Sequence, residues 1–218
     1  MDAYQLLVPE WKHHRVIHSR FPPRNLFDDD PLTQNLLAEL EGATSDRLFR
    51  WRECIEEADA RFGEGWGAVM ASFCYIRPGR FNTHTFGAYY CAGSVHTAIA
   101  EWSFHAAKVW RDHGFDDQAS AVVRAYTGKF QEPLVDLREH PSVHLPDDYS
   151  PAQALAQTLR AQHHYGVIYQ SVRHEGGVAA ALFRPPATSS VRQAAHYSVR
   201  WNGERFVEFA KLNNYEKL

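Results

Sequence analysis

Cysteine is scarce in this sequence of 218 residues: Cys54, Cys74 and Cys91 are all there is, and no two form a C-x-x-C pair. An odd, unpaired set argues against a disulfide frame or a thiolate zinc site and favours buried thiols in a reducing compartment. A surplus of either charge is lacking too. Lys and Arg number 23 against 26 Asp and Glu, a net charge of −3. That balance, with a pI near 6.5, speaks against a dedicated nucleic-acid binder. No apolar run reaches the roughly 18–20 residues of a membrane span. The opening Met1-Asp2-Ala3-Tyr4 lacks a basic-then-apolar signal. Nucleotide and hydrolase signatures are missing as well. Gly63-Glu64-Gly65-Trp66-Gly67 follows no strand and lacks the G-x-G-x-x-G frame, and neither a P-loop nor a G-x-S-x-G elbow occurs. The expectation is a soluble cytoplasmic protein with a single domain over 1–218.

Apolar residues make up 44% of the chain and aromatics 13%, which is ample for a packed core and excludes a disordered chain. Asp30-Pro31 signals a helix start, running through Leu32, Leu36, Leu37 and Leu40 to Gly42. From Ser45, Leu48, Trp51, Ile55, Ala58 and Phe62 recur at helical spacing. Residues 67–76 (GAVMASFCYI) suit a buried strand or a core helix; the flanking glycines and Pro78-Gly79 favour a strand. Phe86 to Ala92 reads as a strand. Ser94 then caps a helix to about His113, with Val95, Ala98, Ile99, Trp102, Ala106 and Val109 as its buried stripe. Glu101 falls beside that stripe, in a row with Thr97 and His105.

Ala121 to Tyr126 and Leu134 to Leu137 read as strands, and Ser150-Pro151 opens a helix to His163. Gly166 to Val172 and Val178 to Phe183 form two strands around a turn at Glu175-Gly176-Gly177. Asn202-Gly203, between alternating apolar runs, signals a terminal hairpin. No regular βαβ rhythm appears, so the fold class is α+β with a mixed, largely antiparallel sheet flanked by helices.

Histidine is abundant, at 13 residues. His13-His14 and His163-His164 are adjacent pairs that point to different faces. Pro141 interrupts the spacing of His140 and His144, and no H-E-x-x-H is present, so no metal site is expected. A dispersed set remains: Arg80 in a turn, Tyr90 on the next strand, Glu101 on the following helix, and Ser171 with Arg173 after a later strand. Each residue alone has an ordinary structural reading: a solvated arginine, a core tyrosine, a surface glutamate.

Together, however, the set resembles the RES-domain family, named for its Arg, Glu and Ser. The matching stretches are GRFN (79–82), YYCAGSVHTAIAE (89–101) and YQSVRHEGGVAAALFRP (169–185). SRFPP (19–23) and LVDLR (134–138) are also similar to family segments. Gln170 stands where the family more often has proline, and 42–66 reads as an insertion relative to the smallest members. The resemblance implies a fold like that of the ADP-ribosyltransferase toxins and a role as the toxin of a bacterial toxin–antitoxin pair. It further implies cleavage of the nicotinamide–ribose bond of NAD, with NAD as substrate and no cofactor. ADP-ribose would pass to water or phosphate, or in a mono-ADP-ribosyltransferase to a protein. An Xre-like antitoxin and a homodimer are implied partners, with no nucleic acid and no membrane involved directly. A catalytically inactive binding protein of the same fold is the remaining alternative.

The residue types suit that chemistry. Departure of nicotinamide leaves positive charge on the ribose, which a carboxylate such as Glu101 stabilises. Arg80, with Arg20 as a second donor, offers a planar cationic fork for the pyrophosphate. Tyr90 can stack on the cationic nicotinamide ring, a contact of about 0.5–2 kcal/mol. Ser171 can hydrogen-bond the ribose or the nicotinamide amide and fix the pose.

Overall fold

Alternation within short apolar runs decides which face of the sheet each strand residue takes. The computed structural model describes residues 4–19 and 54–212. Arg20, the helix expected over Asp30–Gly42, and residues 45–53 of the second expected helix lie outside the described residues. Among the described residues the strands are β1 (Leu6–Leu7), β2 (Lys12–His18), β3 (Tyr89–Ala92), β4 (Ser120–Lys129) and β5 (Leu134–Asp136). β6 (Gly166–Gln170), β7 (Val178–Leu182), β8 (Arg192–Trp201) and β9 (Phe206–Leu212) follow. They form one sheet in the order β1-β5-β6-β7-β3-β2-β4-β8-β9. Only β5 and β6 pair in parallel; the other neighbours are antiparallel. The α+β class with a mixed, largely antiparallel sheet is therefore what the chain forms.

Among the described residues three α-helices flank the sheet: α1 (Trp66–Cys74), α2 (Val95–Asp112) and α3 (Ser150–Ala161). Short 3-10 turns cover Glu57–Asp59, Pro141–His144 and Pro185–Ala187. On one face, Tyr89, Cys91, Ile168, Ala180 and Leu182 pack with Val69, Met70, Phe73 and Cys74 of α1. On the other, Val135, Val167, Tyr169, Ala179 and Ala181 pack with Ala152, Ala156 and Leu159 of α3. Ala98 and Ile99 of α2 lie over Val16, Ala92, Val123 and Val199. Tyr90 packs against the α3 cluster and Ala92 belongs to the α2 cluster. The two helical layers therefore meet above β3.

The stretch 67–76, read as a strand, instead forms helix α1 as far as Cys74. Its buried positions, Val69, Met70, Phe73 and Cys74, recur at helical and not alternating spacing. Gly65 starts the helix from a left-handed backbone (φ 77°). A Cβ there would lie 2.3 Å from the Val191 carbonyl oxygen, so glycine is required both for backbone shape and for space. The helical spacing expected through Ile55, Ala58 and Phe62 also fails. Asp59 lies in a short 3-10 turn flanked by extended residues. Its carboxylate is held in two-point contact by Arg184, at 2.6 and 2.8 Å, and Phe62 remains exposed.

α2 starts as its sequence indicates, with the Ser94 side chain accepting the Thr97 N–H, a cap worth about 1 kcal/mol. Its last turn buries Ala107 and Trp110 and leaves Val109 49% exposed, against the expected stripe. Trp110 joins Phe115, Trp201 and Phe206, with ring centroids 4.3–5.6 Å apart, and that large aromatic surface sets the rotation of the helix. The terminal hairpin forms, but Trp201 pairs with Phe206, so the loop is longer than a two-residue turn. Asn202 Oδ1 accepts the N–H groups of Glu204 and Arg205, and Gly203 has φ 89°.

All three cysteines are free thiols; Cys74 and Cys91 are buried, and burial pushes the Cys74 thiol up to about 11. His13 is fully buried on β2, with Nε2 2.6 Å from Thr188 Oγ1. Gly128 makes room for it, since a Cβ there would come within 2.7 Å of the ring. Burial first, then the neighbouring His14 and Arg15, lower its pKa from 6.5 to about 3. The unfolded chain binds a proton that the native state refuses. This contribution to stability is therefore complete above about pH 6.5 and falls as pH drops toward the folded value. At pH 5 the loss is about 2 kcal/mol. Thermal unfolding followed from pH 7 to pH 5 is expected to show a falling midpoint, and His13→Gln is expected to flatten that slope. An identical slope in the variant would assign the pH response to other groups.

Candidate active site

Above β3, three loops and one helix converge. The first loop is the turn Gly79–Asn82, closed by an antiparallel bridge between its ends. Asn82, 1% exposed, organises it: Nδ2 donates to the carbonyls of Arg77, Thr83 and Phe86, and Oδ1 accepts the Tyr90 hydroxyl at 2.8 Å. The same Tyr90 hydroxyl accepts the Phe81 N–H at 2.8 Å. Gln153 of α3 donates to the Gly79 carbonyl at 2.9 Å. Tyr90 thus joins β3 to the turn that carries Arg80. The residue is half-buried, but its hydroxyl is enclosed by these partners, and burial pushes its pKa far up.

Arg80 is buried, at 7% exposure. Its Nη1 donates to the carbonyls of Val143 at 2.9 Å and Leu145 at 2.6 Å, and its guanidinium carbon lies 4.6 Å from the Tyr149 ring centroid. The arginine is therefore built into the wall of the site and ties the 141–145 segment to the Gly79–Asn82 turn. His144, in that segment, accepts the Gln170 N–H on Nε2 at 3.0 Å. Burial, with Arg80 among the nearby cations, holds its pKa below the ordinary value.

Glu101 and Ser171 meet directly. The Ser171 hydroxyl donates to Glu101 Oε1 at 2.6 Å, joining α2 to the segment just after β6. A bond from a neutral hydroxyl to a carboxylate at this distance is charge-assisted and strong. Arg80 shares their surroundings. The Tyr90 hydroxyl feels both Arg80 and Glu101. Tyr169, buried beneath, is pushed up by burial and then by Glu101, with Arg80 opposing. His105, one helical turn beyond Glu101, is exposed over part of its surface. It is nevertheless crowded enough that desolvation lowers its pKa, with Glu101 opposing and Arg173 and Arg80 adding to the effect.

Of the residues singled out from sequence, Arg80, Tyr90, Glu101 and Ser171 thus lie in one neighbourhood, whereas Arg20 lies outside the described residues. Three participants had no assigned part in the sequence reading. Asn82 and Tyr149 carry no spacing signal. Arg173 packs its guanidinium 3.3 Å from the centroid of the Phe104 ring and donates to the Pro146 carbonyl. Proximity to Ser171 in the chain was its only signal.

A separate hollow of about 200 Å³ is lined by Phe73, Phe86, Arg160, Phe183 and Arg184 among others. None of the four converging residues lines it, and the Asp59–Arg184 ion pair occupies part of its wall. Among the described residues no three His, Cys, Asp or Glu side chains come together as a metal site. No helix among them is long and apolar enough to cross a membrane.

Chemically, the neighbourhood offers a fixed negative charge, a hydroxyl bonded to it, a nearby planar cation and aromatic faces. Against known proteins, a search of the curated proteins finds no match. Among solved structures, the crystal structure of the M. tuberculosis MbcT–MbcA toxin–antitoxin complex is similar at 16% identity and a TM-score of 0.47. That match covers 95% of this chain and 86% of the other. A scan against protein-family models matches the RES domain over residues 47–202. That span exceeds half of the sequence and includes Arg80, Tyr90, Glu101 and Ser171: the chain belongs to the RES domain family.

Proposed function

We propose that this protein cleaves the bond between nicotinamide and ribose in NAD, as a glycohydrolase or phosphorylase, and that it serves as the cytoplasmic toxin of a toxin–antitoxin pair. The observation that carries the reading is the 2.6 Å bond between Ser171 and Glu101 in the neighbourhood of Arg80 and Tyr90. Bond cleavage sends the electron pair of the glycosidic C–N bond onto the pyridinium nitrogen, so nicotinamide leaves neutral and the ribose becomes oxocarbenium-like. Glu101 supplies negative charge where that positive charge develops, already oriented before the reaction begins. The oxygen of water or phosphate then bonds to the ribose carbon, and water's proton passes to solvent.

The other residues would bind and orient. Ser171 can share its hydroxyl between Glu101 and the ribose or the carboxamide. The hydrogen bonds described for Arg80 both run from Nη1, so the pyrophosphate would meet the remaining edge of its guanidinium. Tyr90 has its hydroxyl fixed on both sides, which leaves the ring as the part able to face nicotinamide. An Xre-like antitoxin covering the site and a homodimer complete the proposal.

The test is incubation of purified protein with NAD, with and without phosphate, and identification of the products. Nicotinamide with ADP-ribose marks a glycohydrolase; nicotinamide with a phosphorylated ADP-ribose marks a phosphorylase. No nicotinamide under either condition would overturn the reading. Mono-ADP-ribosyl transfer to a protein would add the mass of ADP-ribose to a cellular target incubated with labelled NAD. An inactive binding protein of the same fold would leave the cellular phenotype unchanged in Glu101→Ala.

A further inference from the structure

Ser171 is anchored at more points than its bond to Glu101. Its Oγ accepts the backbone N–H groups of Arg173 at 3.2 Å and His174 at 3.1 Å. The following turn is closed by Ser171 N–H to the Gly177 carbonyl at 2.7 Å and Gly177 N–H to the His174 carbonyl at 2.9 Å. That turn then touches α2 a second time: His174 Nδ1 lies 2.9 Å from Thr97 Oγ1. Thr97 is 1% exposed, and its hydroxyl lies 2.9 Å from that of Ser94, the helix cap. Glu101 stands four positions after Thr97, so both contacts fall on one row of the helix. Gly177 lets the turn close onto that row, since a Cβ there would come within 2.8 Å of both Thr97 and His174. The His96 ring stacks on His174 from the same helix, with centroids 5.3 Å apart and planes 10° from parallel.

We infer that Thr97 and His174 are positioning residues that lock the Ser171–Gly177 turn onto α2 and so hold the Ser171 hydroxyl against the Glu101 carboxylate. This rests on the reading of Glu101 and Ser171 as groups that act on the substrate. One hydrogen bond fixes a distance but leaves the turn free to pivot about it. A second contact, three residues on and one helical turn away, removes that freedom. Misplacement of a reacting group by about 1 Å costs up to roughly a hundredfold in rate, so the latch matters even though neither residue touches the reacting atoms.

Thr97→Val keeps the side-chain shape and deletes the hydroxyl; Thr97→Ser keeps the hydroxyl. Thr97→Val is expected to lower kcat for nicotinamide release by about tenfold with KM changed less than about twofold, and Thr97→Ser to restore most of the rate. Without NAD present, the Arg173 and His174 amides are expected to exchange with solvent about tenfold faster in Thr97→Val than in the wild type. His174→Leu and His174→Asn give the same comparison with the helix untouched, Asn keeping a polar atom near the position of Nδ1. Unchanged kcat and unchanged exchange in Thr97→Val and His174→Leu overturn the inference, as does an equal loss in Thr97→Ser. Failure of the wild type to release nicotinamide would instead refute the proposed activity, and the exchange measurement still decides the latch.

Discussion

Glu101→Gln is expected to slow nicotinamide release from NAD by roughly a hundredfold or more, with the unfolding midpoint almost unchanged. The substitution keeps the size of the side chain and an oxygen able to accept the Ser171 hydroxyl, now held at 2.6 Å. What it removes is the negative charge. In the ground state that charge is balanced by hydrogen bonding and solvent; its contribution appears only as the ribose becomes cationic. Loss of charge should therefore fall on kcat and leave KM nearly as it was. A variant with wild-type kcat would remove Glu101 from the chemistry. A variant with unchanged kcat and a raised KM would reassign it to ground-state binding.

The second large effect concerns Arg80, where two roles coincide. Its Nη1 pairs with the Val143 and Leu145 carbonyls in a buried setting. Arg80→Ala would leave those acceptors without their partner, at a cost of about 2–3 kcal/mol in chemical unfolding. Arg80→Lys separates structure from binding. It keeps a cation able to reach one carbonyl but loses the planar fork, and with it two-point recognition of a phosphate. Raising KM for NAD by tenfold or more corresponds to losing about 1.4 kcal/mol of binding. That is the expected result for Arg80→Lys, with kcat reduced less. A lysine variant with unaltered KM would restrict Arg80 to holding the 141–145 segment.

How far these features were legible in sequence depended on how local their causes are. Ser94 announced its helix because a cap needs only its own hydroxyl and an N–H three residues on. The strands Leu134–Asp136, Gly166–Gln170 and Val178–Leu182 announced themselves by short apolar runs between turn residues. The stretch 67–76 misled because an apolar run of that length fits a buried helix as well as a strand. The deciding fact, Gly65 packed against the Val191 backbone, lies more than 120 residues away in the chain. The terminal hairpin was evident from Asn202-Gly203, but its length was not, since Trp201 and Phe206 pair through aromatic packing as well as turn preference.

Within the candidate site, the types and order of Arg80, Tyr90, Glu101 and Ser171 could be read, but their contacts could not. Arg80 looked like a loop arginine awaiting a ligand. Its burial follows from carbonyls more than 60 residues further along. The Thr97–His174 contact is invisible to spacing for the same reason: it becomes meaningful only when a distant turn folds back onto a helix. The Asn82 side chain bonds to near neighbours, but its partners are backbone carbonyls and one hydroxyl, which leave no residue pattern to read.

The most direct test of the central claim is a crystal structure of Glu101→Gln soaked with NAD, in which slow turnover preserves the dinucleotide. The account predicts the nicotinamide-bearing ribose within hydrogen-bond distance of residue 101 and the Ser171 hydroxyl, with the pyrophosphate against Arg80. NAD bound at any other place, including the hollow beside Arg160 and Arg184, would contradict it.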